Sequence, residues 1–223
     1  MTAFDRSALR RTTTAQQLAQ LLSDRILDGA FSPGDRLRES GIAAEMGVAR
    51  NTMREAVRIL ELTGLARYEV NRGAVVIAPT PESLEAVYLA RERLETAAVA
   101  KPATPEQLAR LDAAYRTLAA ATRTRDSRQI VEMDLAFHAT VVSFLESSRL
   151  DQFYGDLIQE LRFYLTVLSV REREFDRPRD LLAEHKVILG AVHSGDPDRA
   201  TAAVQTHIRD NAAKVKRILG QQP

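Results

Sequence analysis

Cysteine is absent from this 223-residue chain. That excludes disulfides and thiolate metal sites, and it fits a cytoplasmic setting. Long apolar runs are missing as well. Nothing approaches the roughly 18 consecutive apolar residues of a membrane-spanning helix, so no span is expected. Asp5, Arg6, Arg10 and Arg11 lie near the N-terminus with no apolar stretch behind them, so no secretory signal peptide is expected. Glycine and proline number only 10 and 8, too few for a disordered chain. An excess of one charge is also lacking: the formal net charge is +1, which by itself says nothing for a polyanionic partner. Its distribution is slightly uneven. Residues 1–78 hold eleven Arg, no Lys and nine acids, a net of +2, which leaves −1 for the rest.

What is present suffices for two domains, since 45% of the residues are hydrophobic. Thr12-Thr13-Thr14 offers helix caps, and Leu18, Leu22 and Ile26 follow at helical spacing. Gly29 ends that helix, and Phe31-Ser32-Pro33-Gly34 makes a tight turn before Arg36-Leu37-Arg38. Two short helices hinged at Gly47 come next. Small Ala43 and Ala44 are expected to let the first approach the second closely. Met53, Val57 and Leu60 form one apolar face on the second helix, so Asn51, Arg54 and Arg58 point away from it. Strand Leu65–Val70, a turn at Asn71-Arg72-Gly73 and a return strand Ala74–Ile77 complete a hairpin. A short amphipathic helix with an outward Asn/Arg row is what the DNA major groove admits.

The run Ile26-Leu27-Asp28-Gly29 through Pro33-Gly34-Asp35-Arg36-Leu37-Arg38-Glu39 resembles the winged-helix domain of GntR-family bacterial transcription regulators. The resemblance continues through Gly47-Val48-Ala49-Arg50, Arg54-Glu55-Ala56-Val57 and Asn71-Arg72-Gly73-Ala74. It implies that Arg50 opens the recognition helix and grips a phosphate or a guanine edge. Asn51 and Thr52 would lie where the groove is approached, with Arg54 and Arg58 on the same outward row. Arg54 has the reach for guanine O6/N7. Arg38 would contact a phosphate, and Arg72 with Gly73 would enter the neighbouring minor groove. Two departures stand out. Asn51-Thr52 replaces the usual Thr-Pro, which alters the expected operator sequence, and Gly41 replaces a usual Glu.

Ala78-Pro79-Thr80-Pro81 breaks the pattern, dividing a DNA-binding domain at 1–78 from a helical domain at 79–223. Helices are expected at 81–100, 105–122, 127–146, 149–172, 178–194 and 196–219, an antiparallel bundle with short loops. The fold class is therefore mainly α: a winged helix-turn-helix of three helices and a β-hairpin, then about six helices. Asp134 and His138 are one turn apart and share a helix face, while His185 and His207 sit on two later helices. An Asp with three imidazoles suits Zn²⁺, Ni²⁺ or Mn²⁺, but four scattered side chains can equally be core or surface residues. The surrounding stretches Asp134-Leu-Ala-Phe-His138, Glu184-His185-Lys186-Val187-Ile188-Leu189 and Thr206-His207-Ile208 resemble the ligand-bearing helices of the FadR C-terminal (FCD) domain family. Arg91-Glu92-Arg93-Leu94-Glu95 resembles its first-helix motif, although this helix is about a turn shorter than usual.

That resemblance implies a divalent metal, zinc first, held by Asp134, His138, His185 and His207, with a small organic acid beside it. His193, next to Gly195, is read as a cap or surface residue. Arg91 is the first candidate to pair with the acid's carboxylate. Equally, it can form a salt bridge with Glu95 one turn on. Arg162, Tyr164 and Asn211 are further pocket candidates. The leading expectation is a regulator that binds duplex operator DNA as a homodimer and answers to an acid. A metal-dependent hydrolase with a DNA-binding appendage is the alternative of a different class. A purely structural metal is the third.

Overall fold

The computed structural model describes residues 12–78, 80–124, 126–172 and 178–220. These fall into two compact units that divide between Ala78 and Pro79.

The first unit opens with α1 (Thr14–Leu27), started by a capping box in which Thr13 accepts from the Gln16 amide and Gln16 accepts from the Thr13 amide. The turn at Ser32–Asp35 leads to Arg36, which bridges to Val75. Next come α2 (Glu39–Glu45) and α3 (Arg50–Leu62). Between these helices Gly47 takes a positive φ of 63°, the left-handed geometry that glycine adopts at least cost. Strands β1 (Ala66–Glu69) and β2 (Gly73–Val76) pair antiparallel, Ala66 opposite Val76 and Glu69 opposite Gly73. Leu18, Leu22, Ile26, Leu37, Met53, Val57 and Leu60 form the core against Ala74, Val75 and Val76. Of the two alanines expected between the short helices, only Ala43 is buried; Ala44 faces solvent. A seven-residue helix presents one narrow stripe inward, and Ala43 occupies it. β1 is shorter than the expected Leu65–Val70, ending before Asn71, which turns the chain at φ 64°, and β2 keeps the length expected for Ala74–Ile77 but begins one residue earlier, at Gly73.

The second unit is a helical bundle: α4 (Pro81–Ala98), α5 (Pro105–Ala121), α6 (Ser127–Val142), α7 (Ser148–Glu172), α8 (Pro178–His193) and α9 (Pro197–Gly220). Among the described residues, no helix is long and apolar enough to cross a membrane. Thr80 and Thr104 cap α4 and α5, each followed by proline in the first turn, where its missing N–H costs nothing. The helix expected over 127–146 is corrected at its end. It stops at Val142, passes into a 3-10 turn at Ser143–Leu145 and is halted by Glu146 at a left-handed φ of 51°. α4 packs on α9, α6 on both α5 and α7, and α8 on α9 and α5. This arrangement points faces of α4, α6, α8 and α9 at one interior region.

Candidate functional site

In the first unit, α3 buries Met53, Ala56, Val57 and Leu60, so its other face is solvent-exposed. Arg50, Asn51, Arg54 and Arg58 all lie there, and Thr52 is half-buried at its edge. Arg58 has one loose ion pair, 3.9 Å from Glu55. Asn51, Arg54 and Arg58 line a shallow hollow of about 600 Å³ together with Glu55, Glu61 and Tyr68. Tyr68 closes its far wall by donating to Glu39 at 2.8 Å, while its own amide donates to Glu61. Partial burial and the Glu39 carboxylate push the Tyr68 hydroxyl up to about 12, so it stays a donor. Arg38 is exposed and immediately precedes α2. At the hairpin tip Arg72 is not loose. It pairs with Glu69 at 2.6 Å and donates to the Gly34 carbonyl at 3.0 Å, tying the hairpin to the Pro33-Gly34 turn. Gly73, beside it, faces the Arg36 guanidinium.

In the second unit, His138 from α6, His185 from α8 and His207 from α9 each bring a ring nitrogen within 4.8 Å of the others. All three side chains are buried. His207 Nε2 lies 3.2 Å from His138 Nε2, and Asp134 Oδ1 lies 2.9 Å from His185 Nε2. The tight set is thus the three imidazoles, and Asp134 joins it on the His185 side.

The outer nitrogens set the protonation. His138 Nδ1 sits 2.6 Å from Glu95 Oε2, and a carboxylate only accepts, so Nδ1 carries the proton. His185 Nδ1 likewise donates to the Leu181 carbonyl at 2.8 Å. In its neutral form each ring then turns the lone pair of Nε2 inward. His185 Nε2 forms no hydrogen bond despite the nearby carboxylate, nor does His207 Nδ1, 3.5 Å from Glu184. A buried nitrogen such as His185 Nε2, left without a hydrogen bond beside two other buried imidazoles, is costly unless a cation collects it. The 3.2 Å between His138 Nε2 and His207 Nε2 suits one, since donors about 2.0–2.1 Å from a tetrahedral zinc stand about 3.3 Å apart. Burial pulls His138 down to about 4, against the raising effect of Glu95, so it is neutral and available as a ligand at neutral pH. Burial would lower His185 too, but Asp134 outweighs it and raises the group above its usual 6.5. Asp134 in turn is driven well below the usual carboxylate range by its histidines, although burial opposes this.

Of the pocket candidates, Arg91 is 1% exposed and its Nε meets Glu95 Oε1 at 3.0 Å. One of its two terminal nitrogens has no hydrogen bond. Of the two sequence alternatives the salt bridge with Glu95 forms, and one arm of the guanidinium is left without a hydrogen bond. Asn211 accepts from Tyr88, whose ring lies 5.4 Å from the Arg91 guanidinium carbon. Tyr164 is buried between Glu160 and Ser83. Arg162 reaches Glu132 at 3.4 Å, across α7 and α6. His193 is a partly exposed partner of Asp112 at 2.9 Å, as read from its position.

Three residues that sequence reasoning did not single out for the site support it. Glu95 joins Arg91, His138 and Tyr154, and Tyr154 donates to Glu95 Oε1 at 2.6 Å. Glu184 stands between His207 and Lys214. A signal existed for Glu95 in its one-turn spacing from Arg91, and for Glu184 in its place beside His185. Nothing local marked Tyr154.

The profile of the FCD domain family matches residues 86–210, and that of the "Bacterial regulatory proteins, gntR family" matches residues 14–76. The gluconate operon transcriptional repressor of Bacillus licheniformis is 27% identical over 221 residues, 96% of this chain and 90% of that protein. The Uxu operon transcriptional regulator of Escherichia coli K12 is 24% identical over 228 residues, 92% and 88% of the two chains. A crystal structure of a GntR protein from Rhodococcus sp. RHA1 superposes with a TM-score of 0.78 at 31% identity, covering 95% of this chain and 100% of that one. With a winged helix-turn-helix ahead of a histidine-centred bundle, this chain belongs to the GntR family of bacterial transcription regulators, in the branch that carries an FCD domain.

Proposed function

We propose that the protein is a metabolite-responsive regulator, acting in the cytoplasm as a homodimer on duplex operator DNA. The observation that carries the regulatory half is the convergence of three buried imidazoles with Asp134 in the bundle interior. In this reading Asp134, His138, His185 and His207 hold a divalent metal, zinc first, with nickel or manganese as alternatives. Bound there, such an ion supplies a Lewis-acidic anchor for a carboxylate oxygen. The chain's own contribution is the spare nitrogen of Arg91, buried and preorganised to take a second acceptor of the same acid. Asn211 with Tyr88 would stand beside the bound acid, and Arg162 and Tyr164 lie on α7.

On the DNA side, Arg50, Asn51, Thr52, Arg54 and Arg58 would face the major groove. Arg38 would meet a phosphate, and Arg72 with Gly73 the neighbouring minor groove. Two copies related by a two-fold axis read two half-sites, so the operator is roughly palindromic. A bound acid shifts the population between states with different DNA affinity only if it binds one of them better.

The hydrolase reading loses its footing in the same geometry. Glu95 is occupied by Arg91, His138 and Tyr154, and Glu184 by Lys214, which leaves neither free to activate water.

The test titrates small carboxylic acids against labelled operator, with zinc-loaded and chelator-treated protein. The name of the B. licheniformis relative makes gluconate a first choice. The expected result is at least a tenfold loss of operator affinity, about 1.4 kcal/mol, in the loaded protein alone. No acid response with either form would sink the proposal. A drop in melting temperature on chelation, with an acid response that ignores the metal, would make the ion structural.

A further inference from the structure

We infer that Glu95 is a positioning residue: it fixes the tautomer of His138 so that the Nε2 lone pair is aimed into the histidine cluster, and it steadies Arg91 with its other oxygen. Only the metal arm of the test below rests on the function just proposed.

The carboxylate is wholly buried, and among the described residues its hydrogen-bond partners are donors. Oε2 faces His138 Nδ1 at 2.6 Å, while Oε1 takes Arg91 Nε at 3.0 Å and the Tyr154 hydroxyl at 2.6 Å. Three donors from three helices therefore meet two acceptor oxygens. A carboxylate cannot donate, so His138 must place its proton on Nδ1. The neighbouring His185 has its tautomer set by a backbone carbonyl, that of Leu181, which no side-chain substitution removes. Among the described residues no backbone carbonyl meets His138 Nδ1, and its partner is Glu95. Oε1 alone holds the Arg91 Nε, and one terminal nitrogen of the guanidinium has no hydrogen bond. Carboxylate–histidine pairs of this kind orient ligands and are commonly worth ten- to a hundredfold in metal affinity.

Glu95→Gln keeps the shape and removes the symmetry of the acceptors. If the amide oxygen serves Arg91 and Tyr154, the NH₂ confronts His138 Nδ1. The ring then has to accept there and carry its proton on Nε2, which blunts the inward lone pair. Selective ¹⁵N-histidine NMR reads this directly, because the chain has only four histidines.

In metal-free wild-type protein His138 is expected as the Nδ1–H tautomer. In Glu95→Gln it shifts to Nε2–H, and zinc affinity measured by competition with a chelator falls ten- to a hundredfold. His193→Gln alters a partly exposed pair with Asp112 outside the cluster. It should leave the His138 tautomer unchanged and the zinc affinity at the wild-type value. A wild-type His138 found as Nε2–H overturns the inference. So does a Glu95→Gln protein that keeps Nδ1–H and wild-type zinc affinity. Should that variant not fold, the wild-type spectrum still decides. A wild-type Nδ1–H tautomer with no zinc binding would uphold the role of Glu95 and remove the metal reading alone.

Discussion

At the scale of single residues, the two sets of arginines differ in how far they are already spent. Arg54 is exposed on α3, with Asn51 before it and Arg58 after it on the same outward row. Arg72 is held by Glu69 and the Gly34 carbonyl. A side chain without competing partners gives its full hydrogen-bonding capacity to a base edge; one that is tied must first exchange bonds. Arg54→Ala should therefore cost about 1–3 kcal/mol of operator affinity and relax specificity at one base pair of each half-site. Arg72→Ala should lose less, and uniformly across sequences. Competition binding against single-base operator variants separates the two. A uniform loss from Arg54→Ala would assign it to a phosphate instead. The outward row was legible in the sequence, since helical spacing alone puts Asn51, Arg54 and Arg58 opposite Met53 and Val57. The binding of Arg72 was not, because its partner carbonyl at Gly34 lies 38 residues away and only the folded hairpin brings it near. Glu95 was half legible: its spacing from Arg91 showed the salt bridge, but the His138 and Tyr154 contacts depend on how α4, α6 and α7 pack.

Between elements, the contact of α4 with α9 is the frame that holds His207 and Asn211 opposite Tyr88 and Arg91. On its flank Glu92 of α4 accepts from Arg209 twice, at 2.9 and 3.2 Å, and from Gln205 at 2.8 Å, both on α9. The Arg209 and Gln205 hydrogen bonds hold the Glu92 carboxyl below its usual 4.5. A carboxyl lowered in the folded state stabilises fully above its unfolded value and loses that contribution as pH falls through the folded one. Glu92→Gln resembles the protonated form. At neutral pH it should cost below about 1 kcal/mol, as partly exposed pairs do, or roughly 2–4 °C in melting temperature. Wild type and variant should converge as pH falls below 4.5. A gap that stays constant over this range would mean that packing of the stem, and not the ion pair, carries the effect. The helix starts on either side of this frame were legible from their caps, Thr80-Pro81 and Thr104-Pro105. The end of α6 was not. The apolar pattern runs on through Phe144 and Leu145, and the 3-10 turn that uses these residues is imposed by the left-handed Glu146.

For the whole molecule, near-neutral charge forces the DNA affinity to come from few, well-placed cations. Residues 1–78 have a net charge of only +2, so a general polyelectrolyte attraction is small and each contact shows in the salt dependence. Arg38 is exposed just ahead of α2, where it can reach a phosphate without reading sequence. Each phosphate contact adds about 0.9 to the slope of log affinity against log salt. In a two-fold complex every substitution is made twice. Arg38→Ala should then lower the slope by about 1.8 if a dimer occupies the operator, and by about 0.9 if one copy does. Titrations at several salt concentrations give the slope independently of any absolute affinity, and a palindromic operator compared with its half-site supplies the control. An unchanged slope would remove Arg38 from the backbone contacts. A change of about 0.9 on the full palindrome would speak against two-fold binding, and with it against an effector that works by altering the relation of two DNA-reading units.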